Sequence, residues 1–255
     1  MAEQTTAATL VAHSPKFKCE IVDRAGLARF QPPVGTSTWR PVAHAELVGT
    51  LIDQAERIGL VPVREQYAVG KEGLALFGTL DMVRQSTALA VPEKRGMALG
   101  FRHSNDKALA LSIVGGARVF VCDNLSLSGD KIALHKHSRG LHLAALIRAG
   151  LEKFQEHYQA FDDAIIDAEG RSITDDEAKV RLFNLRYDGV LPVSIFDEAS
   201  TAYFRAEQLG YEDCAPRTVF GLHNACTRPV KALAPASQWR VLTELGRAFG
   251  FGVRG

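Results

Sequence analysis

The sequence predicts an α+β protein: a five-stranded antiparallel β-meander packed by a long helix, with a helical C-terminal region. Short apolar runs at period two, joined by links too brief for helical crossovers, fill residues 61–122. An apolar stripe at helical spacing follows them, and helix boundary signals dominate from Thr174 onward. We divide the chain into an irregular N-terminal arm (1–42), an α+β core domain (43–170) and a helical region packed on that core (171–255).

The arm and the first helix are predicted from breaker residues. Prolines, glycine and a Thr/Ser cluster before residue 40 predict irregular backbone, because proline fixes φ and lacks a donor. From Ala43 to Ile58 the apolar residues recur at helical spacing. Gly59 is the expected end of this helix, since glycine adopts the left-handed conformation at little steric cost.

Five strands are predicted after this helix. Gly115-Gly116 is expected to form the tight hairpin turn between the fourth and fifth strands, because such turns need positive φ. A polar loop is expected to follow the fifth strand. The five strands are Val61 to Val69, Leu74 to Val83, Met97 to His103, Ala108 to Val114 and Ala117 to Cys122.

A long helix is predicted from Ser138 onward. Its apolar stripe is expected to pack on the meander, with a coiled-coil seam as the alternative. Thr174 and Glu177 have the spacing of a capping box and predict the start of the next helix. The stripe consists of Ala144, Ile147, Leu151, Phe154, Tyr158, Phe161 and Ile165. Further helices are expected at about 175–187, 197–209, 219–232 and 237–248.

The composition is that of a globular protein. Of 255 residues, 46% are hydrophobic and 23% are charged, and the formal net charge is +1. This balance excludes a disordered chain, and no uncharged apolar stretch of about 18 residues predicts a spanning helix. Four separated cysteines without a CxxC pair argue against a disulfide framework and a zinc knuckle. Without a recognisable leader, we expect a cytoplasmic protein with no cofactor and no membrane partner.

The charges are distributed unevenly along the chain. Residues 94–148 hold nine basic and three acidic residues, whereas residues 149–214 hold six basic and fifteen acidic residues. Residues 215–255 are again basic, with six basic residues and one acidic residue. Such asymmetry is typical of a surface that binds a polyanion. The alternative is that the acidic segment neutralises the basic segments, within one chain or between subunits.

The densest polar sequence lies at the predicted strand ends, and basic residues outnumber acids there. In the predicted meander, residues 103–107 and 123–124 lie at the same edge. The alternative is that these residues form a solvated edge without a binding role. For the segment SerAsnAspLys at 104–107 taken alone, we favour the interpretation that its residues only form a turn. Lysine and arginine neutralise phosphates, and aromatic faces stack on unpaired bases. The candidate nucleic-acid contacts are Arg102, Asn105, Lys107, Arg118, Asn124, Lys136 and Arg139.

A metal site is a weaker hypothesis for the same region. His135 and His137 alternate as on a strand, and His103 supplies a third imidazole. Lys136 and Arg139 beside them repel a cation, and no HExxH motif supports such a site. The sequence contains no GxSxG nucleophile elbow, so no motif supports nucleophilic catalysis. It contains no GxxxxGK[ST] phosphate-binding loop, so no motif supports nucleotide hydrolysis.

Two stretches carry a resemblance to a known family. The sequence GFRHSNDK at 100–107 and the following LALSIVGGARVFVCDNL resemble the phage/plasmid-like proteins catalogued as domain of unknown function 932. The segment TVFGLHNACT at 218–227 resembles that family's C-terminal helical stretch. The resemblance implies residence on a mobile genetic element and supplies no catalytic residues. The order helix, meander, long helix is also similar to the core of single-strand annealing proteins, which is an analogy of fold alone.

These observations favour a binding role over catalysis. The predicted function is non-enzymatic binding of single-stranded DNA, with annealing as an extension, in recombination, replication or maintenance of a phage or plasmid. We expect a homo-oligomer. One alternative is a protein-interaction factor whose acidic segment 149–214 docks a host or element-encoded protein. The other is a metal-dependent enzyme acting on nucleic acid at His103, His135 and His137.

Overall fold

The structure of the protein is a computed structural model that describes residues 19–85, 95–119 and 124–251. These residues form an α+β protein with one antiparallel sheet and a helical C-terminal region, as predicted. The sheet has six strands, not five, and the order of the strands in the sheet follows their order in the chain. They are β1 (Cys19–Val22), β2 (Leu60–Gly70), β3 (Ala75–Arg84), β4 (Arg95–Ser104), β5 (Leu111–Val119) and β6 (Asn124–His135).

Seven α-helices occur in the described residues. The helix predicted from Ala43 to Ile58 runs from His44 to Arg57, and Gly59 has the expected left-handed conformation, with a φ of +78°. The helix predicted at 175–187 is present as α3 (Asp175–Tyr187). Helix α4 (Val193–Phe204) begins before the predicted residue 197, because Pro192 is its N-cap. The helices are α1 (His44–Arg57), α2 (Leu143–Gly170), α3 (Asp175–Tyr187), α4 (Val193–Phe204), α5 (Ala206–Leu209), α6 (Val219–Thr227) and α7 (Pro235–Ala248), with 3-10 turns at Ala25–Arg29, Lys71–Gly73 and Arg228–Ala232.

Two of the predicted strands belong to one continuous strand. β5 runs through Gly115 and Gly116, and both residues pair with β4, so the predicted hairpin at this dipeptide is wrong. A Cβ atom at Gly115 would lie 2.0 Å from a ring carbon of Phe154 on α2. Glycine is needed here for the close approach of a helix and not for chain reversal. Residues 120–122 of the predicted fifth strand lie outside the described residues.

Two strands were not predicted. β1 lies in the segment expected to be irregular and pairs with Tyr67–Gly70 of β2. β6 occupies the segment expected to be a polar loop. The alternation of Leu125 and Leu127 with serines is the period-two signal that identifies it.

Helices cover both faces of the sheet. On the first face, α1 and the first half of α2 pack on residues such as Leu99 and Phe101 of β4. On the second face, α7 contacts β6, and a Cβ atom at Gly100 would lie 3.1 Å from the Trp239 ring of α7. The predicted stripe of α2 is mostly buried, with its first half against the sheet and its second half among the C-terminal helices.

The start of α3 is fixed by the predicted capping box. The Thr174 hydroxyl accepts a hydrogen bond from the Glu177 N–H, and the Glu177 carboxylate accepts one from the Thr174 N–H. Both bonds satisfy donors that a helix start leaves without intrahelical partners. Within the described residues, no helix has the length and apolar character needed to cross a membrane.

Candidate functional site

Three chain segments meet at one end of the sheet. β4 and β5 are joined there by the turn 105–110, and β6 ends beside the start of β5 at His135. A third segment runs alongside, because Trp39 forms an isolated β-bridge with Ser138. We call this region the polar sheet end and define it as residues 38–44, 102–110 and 135–139.

The turn after β4 is held by its own side chains. The Asp106 carboxylate accepts hydrogen bonds from the Ser104 hydroxyl, the Ala108 N–H at 3.0 Å and the Lys71 ammonium at 2.8 Å. Burial acts to raise the pKa of Asp106, but these hydrogen bonds outweigh it and lower the pKa to about 2. Ser104 and Asp106 are therefore turn residues, and their arrangement presents Lys107 at a φ of +65°.

Asn105 is a structural clamp in this arrangement. Its side chain is 4% exposed. Its amide oxygen accepts a hydrogen bond from the Val42 N–H at 3.1 Å, and its amide nitrogen donates to the Val42 carbonyl at 2.9 Å. Both polar groups are thus engaged with the backbone that leads into α1. The expectation that Asn105 contacts nucleic acid is corrected by this burial.

Three buried imidazoles lie beneath the polar sheet end. The Gly73 carbonyl can only accept a hydrogen bond, so the His44 Nε2–H donates to it at 2.8 Å. The His44 Nδ1 therefore accepts from the His103 Nε2–H at 2.9 Å. The His137 ring stacks on His103 with centroids 5.1 Å apart and an interplanar angle of 11°. This chain of contacts fixes the neutral tautomers of His44 and His103.

Burial keeps these imidazoles neutral. It lowers the pKa of His44, partly opposed by the hydrogen bond to Gly73, and it lowers the pKa of His137. The pKa of His103 falls well below the usual value because of burial, and the neighbouring histidines lower it further. The cluster thus joins α1, β4 and the segment after β6 without placing charge in the interior.

Three exposed cations lie on the chain segments of the polar sheet end. The Lys107 ammonium lies 4.8 Å from the centre of the Trp39 ring, a cation–π contact. Lys136 and Arg139 are exposed and flank Ser138, the bridge partner of Trp39. Among the side chains that the structure describes, no carboxylate forms a salt bridge with these three cations.

Arg102 lies apart from these cations. It follows Phe101 on β4, so its side chain belongs to the second face of the sheet. Its guanidinium lies 5.3 Å from the centre of the Trp239 ring of α7, and the side chain is half-buried. Burial lowers the pKa of Arg102. Arg102 therefore supports the packing of α7 on the sheet.

Arg118 and Asn124 lie at the opposite end of the sheet. Arg118 comes seven residues after Leu111 on the same strand, which separates the two by about 23 Å. Asn124 pairs with Val119 at that distant end. The expectation that these residues share an edge with 103–107 is wrong, because it depended on a hairpin at Gly115-Gly116. Their side chains lie outside the described residues.

The three histidines of the metal hypothesis do not form one site. His103 and His137 stack on each other, whereas the His135 Nδ1 contacts the Lys136 carbonyl. Among the described residues, no group of three or more His, Cys, Asp or Glu side chains is arranged to hold a metal ion.

Two residues of the site were missed by sequence analysis. Trp39 lies in the segment predicted to be irregular, and its signal was the aromatic–basic pair that it forms with Arg40. His44 is the first residue of α1, and no local sequence pattern distinguishes it from an exposed histidine at the start of a helix. Both reach the polar sheet end through contacts between segments that are distant in the chain.

Comparisons of the chain with models of known protein families, with curated proteins and with solved structures found no match. The resemblance to the phage/plasmid-like family therefore stays a prediction.

Proposed function

We propose that the protein binds single-stranded DNA at the polar sheet end without catalysing a reaction. The observation that carries this proposal is the set of exposed cations of the polar sheet end: Lys107 contacts the Trp39 ring, and Lys136 and Arg139 flank Ser138, the bridge partner of Trp39. Three exposed cations without described carboxylate partners attract phosphates, and binding releases the counterions that phosphates condense. The tryptophan supplies an aromatic surface on which an unpaired base stacks.

The shape of the region favours a single strand over a duplex. The cations lie on a turn and on an extended segment, and none of the three belongs to a helix that could enter a major groove. Lys107 already covers one face of Trp39, so an incoming base exchanges with the ammonium or stacks on the remaining face. Displaced towards solvent, the ammonium remains within reach of a phosphate.

The buried layer supports the same role. The Asn105 amide and the imidazoles of His44 and His103 fix the backbone beneath the cations, which reduces the conformational freedom lost on binding. If the family resemblance holds, this activity serves recombination, replication or maintenance of a phage or plasmid. We propose oligomerisation as the means by which one short edge binds a longer strand.

The test is a fluorescence-anisotropy titration of labelled single-stranded DNA over a salt series. Three phosphate contacts predict a slope of about −2 for the logarithm of the association constant against the logarithm of salt concentration. Replacing Lys107, Lys136 and Arg139 with alanine should remove most of this slope. The matched control removes three exposed cations elsewhere, through Arg57→Ala, Lys179→Ala and Arg205→Ala.

Two results contradict the proposal. One is the absence of binding to single-stranded DNA at low salt. The other is equal loss of affinity in the test and control variants, because binding would then depend on total charge and not on this edge. Competition with duplex of the same length checks the preference for a single strand.

A further inference from the structure

Arg102 is a half-buried cation on the second face of the sheet. Burial is the only cause that lowers its pKa, so no charged side chain of the described residues acts on it. Its Nε atom is buried and has no hydrogen-bond partner among the described residues. The contact with the Trp239 ring positions the guanidinium, but a cation–π contact uses none of the N–H donors. Arginine stays protonated in proteins, so both its charge and its donors are available to a ligand.

Ser112 on β5 is the direct neighbour of Arg102. The two residues are paired across β4 and β5, so their side chains lie on the same face with Cβ atoms about 5 Å apart. Ser112 is 0% exposed, and its hydroxyl also has no hydrogen-bond partner among the described residues. Burying a hydroxyl or a guanidinium N–H without a partner is unfavourable. Two such donors side by side indicate a site for a ligand that accepts hydrogen bonds.

The site is reached from the β6 side of the sheet. Leu134 on β6 is the cross-strand partner of Ser112, and it is 53% exposed. On the other side of Arg102 its partner on β3 is Phe77, which is only 5% exposed. A ligand therefore approaches over Leu134, which offers an apolar surface beside the two donors. Because no hydrogen bond to a described residue holds the guanidinium, it can move to admit the ligand.

The charge and the shape of these donors favour a carboxylate. The N–H groups of a guanidinium form a planar fork that matches the two oxygens of a carboxylate. The single charge of Arg102 neutralises a monoanion, whereas a phosphate dianion would leave a net negative charge in a half-buried environment. We propose that Arg102 and Ser112 bind the carboxylate of a small organic acid whose hydrocarbon part packs on Leu134. This site uses none of the three cations proposed to bind DNA.

The test is isothermal titration calorimetry of the full chain with butyrate as the probe. Butyramide has a similar shape without the charge and should bind at least about tenfold more weakly. Arg102→Lys keeps the charge but loses the planar fork, and should weaken butyrate binding by about tenfold. Ser112→Ala removes one hydrogen bond and should weaken it by about threefold to tenfold. Arg205→Lys is the matched control at an exposed arginine and should leave butyrate affinity unchanged.

Four results overturn the inference. They are no heat of binding with millimolar butyrate, equal affinity for butyrate and inorganic phosphate, equal loss in Arg102→Lys and Arg205→Lys, and unchanged affinity in Ser112→Ala. Circular dichroism and the urea midpoint establish that each variant is folded, and Ser112→Ala alone decides the outcome if Arg102→Lys is not. Single-stranded DNA affinity should be the same in all these variants, so failure of the carboxylate site is distinguishable from failure of DNA binding.

Discussion

The variant Gly115→Ala tests how closely α2 packs on the sheet. The added Cβ atom would lie 2.0, 2.1 and 2.6 Å from three ring carbons of Phe154. Carbon atoms prefer a separation of about 3.5–4.0 Å, so the ring must retreat by roughly 1.5 Å. Phe154 is only 4% exposed and is packed within the core. Overpacking of this severity costs about 3 kcal/mol, less about 0.7 kcal/mol gained by restricting the unfolded chain. The expected net loss is about 2 kcal/mol.

The measurement is urea unfolding followed by tryptophan fluorescence. Gly49→Ala is the matched control, because a Cβ atom at Gly49 would meet nothing within 4 Å. Gly49 lies inside α1, where alanine is favoured over glycine by about 1 kcal/mol. The same chemical change should therefore destabilise the protein at one position and stabilise it at the other.

A double-mutant cycle with Phe154→Ala isolates the contact. Phe154→Ala alone should cost about 3–5 kcal/mol. In that background Gly115→Ala should stabilise the protein by about 0.7 kcal/mol, which gives a coupling energy of about 3 kcal/mol. A neutral effect of Gly115→Ala in the wild-type background would contradict this close contact, and so would an equal cost with and without the Phe154 ring.

Two further predictions concern buried polar groups. Asn105→Ala leaves the Val42 N–H and carbonyl without their partner, and should lower the free energy of unfolding in urea by about 2–4 kcal/mol. If the free energy of unfolding fell by less than about 0.5 kcal/mol, the two Asn105 hydrogen bonds would not hold the backbone at Val42 as described. Burial lowers the pKa of His223 from 6.5 to about 3, so its contribution to stability is complete above pH 6.5 and is lost as the pH falls. His223→Phe should reduce the difference in unfolding free energy between pH 7.5 and pH 5.5 by about 1.4 kcal/mol. If the variant shows the same difference as the wild type, His223 is not a source of this pH dependence.

The helices were predictable because their signals are local. The Thr174–Glu177 capping box and the left-handed Gly59 each lie within a few residues of the helix end that they determine. The glycine pair at 115–116 carries no such local meaning. Glycine permits both a tight turn and a close approach, and the deciding residue, Phe154, belongs to a different element far along the chain.

The site was predictable to the extent that it is built from adjacent residues. Lys107 was selected because it follows a predicted strand, and Lys136 and Arg139 were selected as basic residues of the polar stretch 135–139. Arg118 and Asn124 were misplaced by the same hairpin error that split β5. Trp39 and the imidazole of His44 join the site through tertiary contacts, which single-sequence patterns do not encode.

The matching order of strands in the sheet and in the chain has a consequence for how the protein folds. From β2 to β6 each strand pairs with the next strand along the chain, so this part of the sheet forms by short loop closures of low entropic cost. β1 is the exception, because α1 lies between it and β2. The docking of α7 on β6 joins residues much farther apart and must wait for a formed strand. We therefore expect the β-hairpins to gain structure early in refolding, and the tryptophan on α7 to become shielded from solvent last.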